Sequence, residues 1–69
     1  MIALTRVTGE TVYVNPDLVL YVEETPDTLI TFRDGQRLIA RESAREVARR
    51  ILHHARRVRG LAPGEGGER

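Results

Sequence analysis

Thr28-Leu29-Ile30-Thr31-Phe32-Arg33-Asp34-Gly35-Gln36-Arg37-Leu38-Ile39-Ala40 is two β-prone runs on either side of one Asp-Gly pair. Asp-Gly in that setting is a strong hairpin signal, because a two-residue type I′ loop needs positive φ at both positions. A loop of that length predicts Arg33 opposite Gln36, Phe32 opposite Arg37, Thr31 opposite Leu38, Ile30 opposite Ile39 and Leu29 opposite Ala40. Ile30, Phe32 and Ile39 would then share one face, with Leu29, Leu38 and Ala40 on the other. Both faces of this hairpin read as apolar.

Working toward the N-terminus, Thr25-Pro26-Asp27 interrupts the β pattern, and Leu18 to Glu24 reads as a strand ahead of it. Asn15-Pro16-Asp17 is a turn, since Pro fixes φ, restricts Asn15 to extended conformations, and the Asn and Asp side chains close local turns. Ile2 to Val7 and Thr11 to Asn15, separated by Thr8-Gly9-Glu10, predict a first hairpin. Working toward the C-terminus, Ser43 and Glu46 form a Ser-x-x-Glu capping box. Ala44, Val47, Ala48, Ile51, Leu52, Ala55 and Val58 follow at helical spacing. Gly60 and Pro63 stop the helix, so it should run from Ala44 to about Arg59 and dock its Val47, Ile51, Leu52 and Val58 side on the sheet. The predicted fold is α+β: a small antiparallel sheet of four to five strands followed by one C-terminal α-helix. Residues 1–60 form a single domain and 61–69, rich in Gly and charge, a disordered tail.

The chain has 69 residues and no cysteine, so neither a disulfide framework nor a thiolate metal site stabilises it. No stretch is long and apolar enough to cross a bilayer, and Arg6 arrives before a signal-peptide core builds up, so the expected location is cytoplasmic. The net charge of +1 conceals an asymmetry. Residues 1–36 hold two arginines against six carboxylates, net −4, whereas residues 37–59 hold eight arginines against two glutamates, net +6. All eleven basic side chains are Arg.

Chemistry of a catalytic kind is poorly supplied. His53 and His54 are adjacent, and neighbours on a helix project ~100° apart, which prevents them from chelating one metal together. Glu23, Glu24 and Asp27 have no His, Cys or Ser at useful spacing. No phosphate-cradling loop is present. These patterns imply a binding protein, not an enzyme, with no cofactor and no metal. The candidate partner-binding residues are Arg45, Arg49, Arg56 and Arg57 on the polar face of the helix. That face suits an acidic protein surface, an anionic membrane or nucleic-acid phosphate, and it also serves simply to turn the apolar stripe inward. Three aromatic residues (Tyr13, Tyr21, Phe32) offer little for stacking on unpaired bases.

Particular words in the sequence sharpen this reading. Leu4-Thr5-Arg6 with Gly9, Val14-Asn15-Pro16-Asp17-Leu18-Val19, Val22-Glu23-Glu24-Thr25-Pro26-Asp27-Thr28-Leu29-Ile30-Thr31, Asp34-Gly35, and Glu42-Ser43 with Glu46-Val47 occur in that order. Over residues 1–58 the chain resembles the small flagellar protein family called FlbD or SwrD. The resemblance implies a cytoplasmic accessory of flagellar motility and swarming, acting on motor output, with a flagellar motor or assembly protein as partner and no catalytic residues. The alternative is a small nucleic-acid-binding regulator. Leu4-Thr5-Arg6-x-x-Gly9-Glu10 is similar to the opening of the CsrA family, and Tyr21 to Ser43 is similar to part of the LytTR type of DNA-binding domain.

One helix of about sixteen residues, ~24 Å long, covers only part of one side of such a sheet. Apolar side chains on the uncovered side predict a homo-oligomer, with Ile30, Phe32 and Ile39 as the candidate self-association surface. A sheet coiled on itself as a small barrel would hide that side without a second copy.

Overall fold

A computed structural model describes residues 1–58. The expected helix end at Arg59 and Gly60, and the tail over 61–69, lie outside the described residues. The elements in order are β1 (Ile2–Thr5), β2 (Thr11–Val14), a 3-10 turn (Pro16–Leu18), β3 (Val19–Glu24), β4 (Thr28–Phe32), β5 (Arg37–Ala40) and α1 (Ala44–Val58). The fold is α+β, but the strands form two small antiparallel sheets, β1-β2 and β3-β4-β5, and not one sheet of four to five strands. Among the described residues a single bridge, at Arg6 and Ala40, joins them. Two hydrogen bonds make that join: Arg41 N–H donates to the Thr5 carbonyl at 2.8 Å and Val7 N–H to the Ile39 carbonyl at 3.1 Å.

Both flanking hairpins are closed by the same device. Arg6 N–H donates to the Glu10 carbonyl and Gly9 N–H to the Arg6 carbonyl, each at 2.8 Å; Phe32 and Gly35 make the equivalent pair with Gln36 and Phe32 at 2.9 Å. Gly9 has φ +108° and Gly35 φ +90°, so each loop is three residues long with the glycine left-handed at its last position. The Asp34-Gly35 loop is therefore one residue longer than a type I′ turn. Its geometry needs positive φ only at Gly35, while the Asp34 carboxylate accepts the Gln36 N–H at 2.9 Å.

That extra residue moves the β4–β5 register by one. Thr28 faces Ala40, Leu29 faces Ile39, Ile30 faces Leu38 and Thr31 faces Arg37. A one-residue slip exchanges the faces of one strand relative to its partner. Ile30, Leu38 and Ala40 consequently lie together in the core, and Ile39 lies with Leu29 on the outer face. The expected grouping of Ile30, Phe32 and Ile39 is thereby corrected: Ile30 is fully buried, Phe32 is half-buried against the core, and Ile39 is 43% exposed on the opposite side.

A β-bulge between Val19 and Tyr21 re-phases β3 in a similar way. Val19 and Val22 both turn inward, while Leu20 and Tyr21 both turn out. The core is Ile2, Leu4, Ile30, Leu38, Ala40 and Val47, with Val12, Val14, Phe32 and Ile51 packed against it, so all five strands and the helix enclose one cluster. Burying each branched side chain contributes ~1.5–3 kcal/mol.

Helix α1 starts where the sequence places it, with Ser43 Oγ accepting the Glu46 N–H at 3.1 Å. The return half of the capping box is not made. Glu46 turns to Arg49 and Arg50 instead, and the orphan amide of Ala44 donates to Glu24 Oε1 at 2.9 Å. The helix lies against β1 and β3. Val47 is fully buried and Ile51 half-buried, whereas Leu52, expected in the docked stripe, is 54% exposed. The strip of helix in contact with the strands is narrower than the apolar stripe, and Leu52 falls at its outer margin.

Chemical denaturation should separate the two leucines. Leu4→Ala is expected to cost about 2–5 kcal/mol by opening a cavity at the centre of the core. Leu52→Ala should stay within about 0.5 kcal/mol.

Candidate functional site

The pairing parity of β1 decides which of its backbone groups look away from β2. Because Arg6 is hydrogen-bonded to Glu10, the alternation makes Leu4–Val12 and Ile2–Val14 the hydrogen-bonded pairs and leaves Ala3 and Thr5 facing outward. Those outward groups are taken up by the segment that leads into α1. Glu42 Oε1 accepts the Thr5 N–H at 2.9 Å and Oε2 the Thr5 hydroxyl at 2.8 Å. Arg50 Nη1 donates to the Ala3 carbonyl at 2.6 Å and to Glu42 Oε2 at 3.2 Å. Its Nε donates to Glu46 Oε2 at 2.7 Å, and Arg49 holds the same carboxylate by two bonds, at 2.9 and 2.7 Å.

The electrostatics follow from these contacts. Burial pushes the Glu42 carboxyl up, but the Thr5 amide and hydroxyl, its own backbone amide and the Arg50 charge outweigh that and hold it below 4.5. Hydrogen bonds from Arg49 and then Arg50 lower Glu46 to about 2. The hydrogen bond to Glu46 likewise raises Arg49.

Beside this network, between the start of β1 and one flank of α1, lies a cleft of about 620 Å³ lined by Met1, Ile2, Ala3, Arg49, Arg50, His53, His54 and Arg57. Of the four arginines read from the sequence as partner-binding, Arg49 and Arg57 line it. Arg45 and Arg56 do not; spaced i, i+11 with Arg49 at i+4, they follow the outward ridge of the helix. Arg45, Arg56 and Arg57 have no ion-pair partner among the described residues, in contrast to Arg49 and Arg50. Sequence reading missed Glu42 and Arg50. The Glu46–Arg50 spacing of i, i+4 was a signal for part of the network. The contact of Glu42 with Thr5, 37 residues away, had none.

A second depression of about 570 Å³ opens between β2 and the tip of the β4–β5 hairpin, with Val12, Val14, Phe32 and Leu38 in its floor. Among the described residues no three His, Cys, Asp or Glu side chains converge in a way that would hold a metal ion. No described helix is long and apolar enough to cross a membrane.

Residues 1–59, which take in both sheets and the helix, match the family described as FlbD, flagellar and swarming motility proteins. The chain belongs to the FlbD family. Neither the curated proteins nor the solved structures contain a significant match. The FlbD match spans the Asn15-Pro16-Asp17 and Thr25-Pro26-Asp27 turns, whose local geometry is set by their own side chains. Asn15 Oδ1, for instance, accepts the Asp17 N–H at 3.0 Å. A role in flagellar or swarming motility comes with membership of the FlbD family.

The paired glutamates set an acid limit on stability. Both have folded values below 4.5, so their stabilisation is complete above about pH 4.5 and is lost as pH falls toward 2. Melting temperature should fall across that window, less steeply at high salt because the pairs face solvent. Glu42→Gln with Glu46→Gln should lower the neutral-pH melting temperature and flatten the acid decline; an unchanged decline would exclude these two groups as its cause.

Proposed function

We propose that the protein is a cytoplasmic, non-enzymatic accessory of the flagellum that binds a motor or assembly protein and modulates motor output. The binding surface is the outward side of α1, at Arg45, Arg56 and Arg57 with the adjoining cleft. The observation behind this surface is the division of labour among the arginines. Arg49 and Arg50 are neutralised by Glu46 and Glu42, leaving Arg45, Arg56 and Arg57 with positive charge uncompensated among the described residues. Such charge steers an acidic surface into contact and discriminates against basic ones. The exposed aromatic side chains, Tyr13 and Tyr21, stand on β2 and β3 and not on the helix that carries these arginines, and two tyrosines are few for stacking on unpaired bases.

The proposal also includes self-association through the outer face of the three-stranded sheet. Leu20 and Tyr21, turned out by the bulge, and Ile39, turned out by the register, are exposed there, with half-buried Leu29 between the strands. These apolar side chains share the face with Glu23, Thr31 and Arg37, a mixed surface of the kind that partner-covered faces present.

In a flagellated host lacking the gene, the variant Arg45→Gln, Arg56→Gln, Arg57→Gln should stay folded, with only a small fall in melting temperature from the lost cations at the helix C-terminus, and fail to restore swarming. Full restoration would sink the proposed surface. An electrophoretic shift of RNA or DNA that disappears in the same variant would replace the protein partner with a nucleic acid, and steep salt dependence would mark the phosphate contacts.

Light scattering coupled to size exclusion over a hundredfold dilution tests the second part. An oligomer at high micromolar concentration should be dispersed by Leu20→Glu or Ile39→Glu. A folded monomer throughout would overturn it.

A further inference from the structure

The pairing parity that turns Ala3 and Thr5 outward on β1 has its counterpart on β2, where Thr11 and Tyr13 face away from β1. On β1 the outward groups are met by Arg41, Glu42 and Arg50. Among the described residues β2 pairs with no strand but β1, so the backbone groups of Thr11 and Tyr13 form an open edge there. Native sheets cover or blunt such edges, or use them to bind an extended segment.

Val12 and Val14, the residues alternating with this pair, turn into the second depression. Its floor continues across Leu18, Phe32 and Leu38, and its volume of about 570 Å³ accommodates several apolar side chains. The rim is basic: Arg6, Arg33 and Arg37 border it and form no ion pair among the described residues. Among the described residues Asp34 is the one carboxylate on the rim, and it accepts the Gln36 backbone N–H.

We infer that this groove docks an extended segment of a partner protein in which apolar and acidic residues alternate, added to β2 as a third strand. Backbone hydrogen bonds to Thr11 and Tyr13 supply the alignment, one set of side chains fills the Val12–Val14–Leu38 floor, and carboxylates meet the three rim arginines. A second copy is a poorer occupant, because its own free edge, Thr11 to Val14, carries no acidic residue. The inference shares with the proposed function the reading of the chain as a protein-binding module, but it uses a different surface from α1.

The probe is a fluorescein-labelled heptapeptide, Glu-Val-Glu-Leu-Glu-Ile-Glu, with the Lys-for-Glu peptide as control. The full chain should bind the acidic peptide, with backbone amide shifts in the NMR spectrum confined to residues 11–14 and the β4–β5 tip. Affinity should drop at least tenfold in Arg33→Glu and in Arg37→Glu, both exposed and outside the core. It should also drop in Tyr13→Pro, which removes an edge N–H that the β1–β2 ladder does not use. The arginine variants decide the outcome if Tyr13→Pro fails to fold. Absence of binding at millimolar peptide, equal binding of the lysine peptide, or shifts centred on α1 would overturn the inference. So would self-association of the unliganded chain that Arg33→Glu or Tyr13→Pro abolishes, since a second copy would then hold the groove. Loss of swarming in the α1 variant with peptide binding retained would leave this inference standing, and peptide binding lost with swarming intact would leave the α1 proposal standing.

Discussion

The carboxylate of Glu42 is the constraint on which the rest of this fold depends. Its two oxygens take the amide and hydroxyl of Thr5, and one of them also receives Arg50. It thus ties the edge of the first hairpin to the segment between the second hairpin and the helix. Without it, the N–H of Thr5 and the guanidinium of Arg50 would each lose a charge-assisted partner at a partly buried junction. Among the described residues one bridge, at Arg6 and Ala40, joins the two sheets, and Glu42 adds two hydrogen bonds to Thr5 beside it. A chain of this size has little core to spare, so its two sheets and helix have to be held on one apolar cluster by a few directional contacts.

The same network divides the helix arginines into two populations. Those at positions 49 and 50 lie one turn from Glu46 and pair with it, whereas those at 45, 56 and 57 form no ion pair among the described residues. A uniformly basic face in the sequence therefore becomes a face with localised available charge. The second hairpin contributes a separate basic rim through Arg33 and Arg37, joined by Arg6 from the first. Two separate basic surfaces on so small a scaffold are what the proposed recognition of acidic protein segments calls for.

Much of the local structure was legible before the fold. The Ser43 cap and the periodic run of Val47 and Ile51 identified the helix, the turn residues at Asn15-Pro16-Asp17 and Thr25-Pro26-Asp27 separated the strands, and the ordered words in the sequence pointed to the FlbD family. These features rest on interactions spanning a few residues, whose energetics are written into neighbouring side chains.

Register, face and contact were decided only in three dimensions. Asp-Gly specifies that the chain turns, yet it is compatible with a loop of two residues or of three, and the choice between them exchanges the surroundings of Ile39 and Leu38. The bulge at Val19–Tyr21 and the exposure of Leu52 likewise depend on where neighbouring elements pack. The sequence by itself determined the elements, their order and the family, because propensity, capping and turn chemistry act locally. The tertiary structure alone decided which apolar face is buried and which arginines remain available, because those outcomes depend on contacts such as Glu42 with Thr5 that form between residues 37 positions apart.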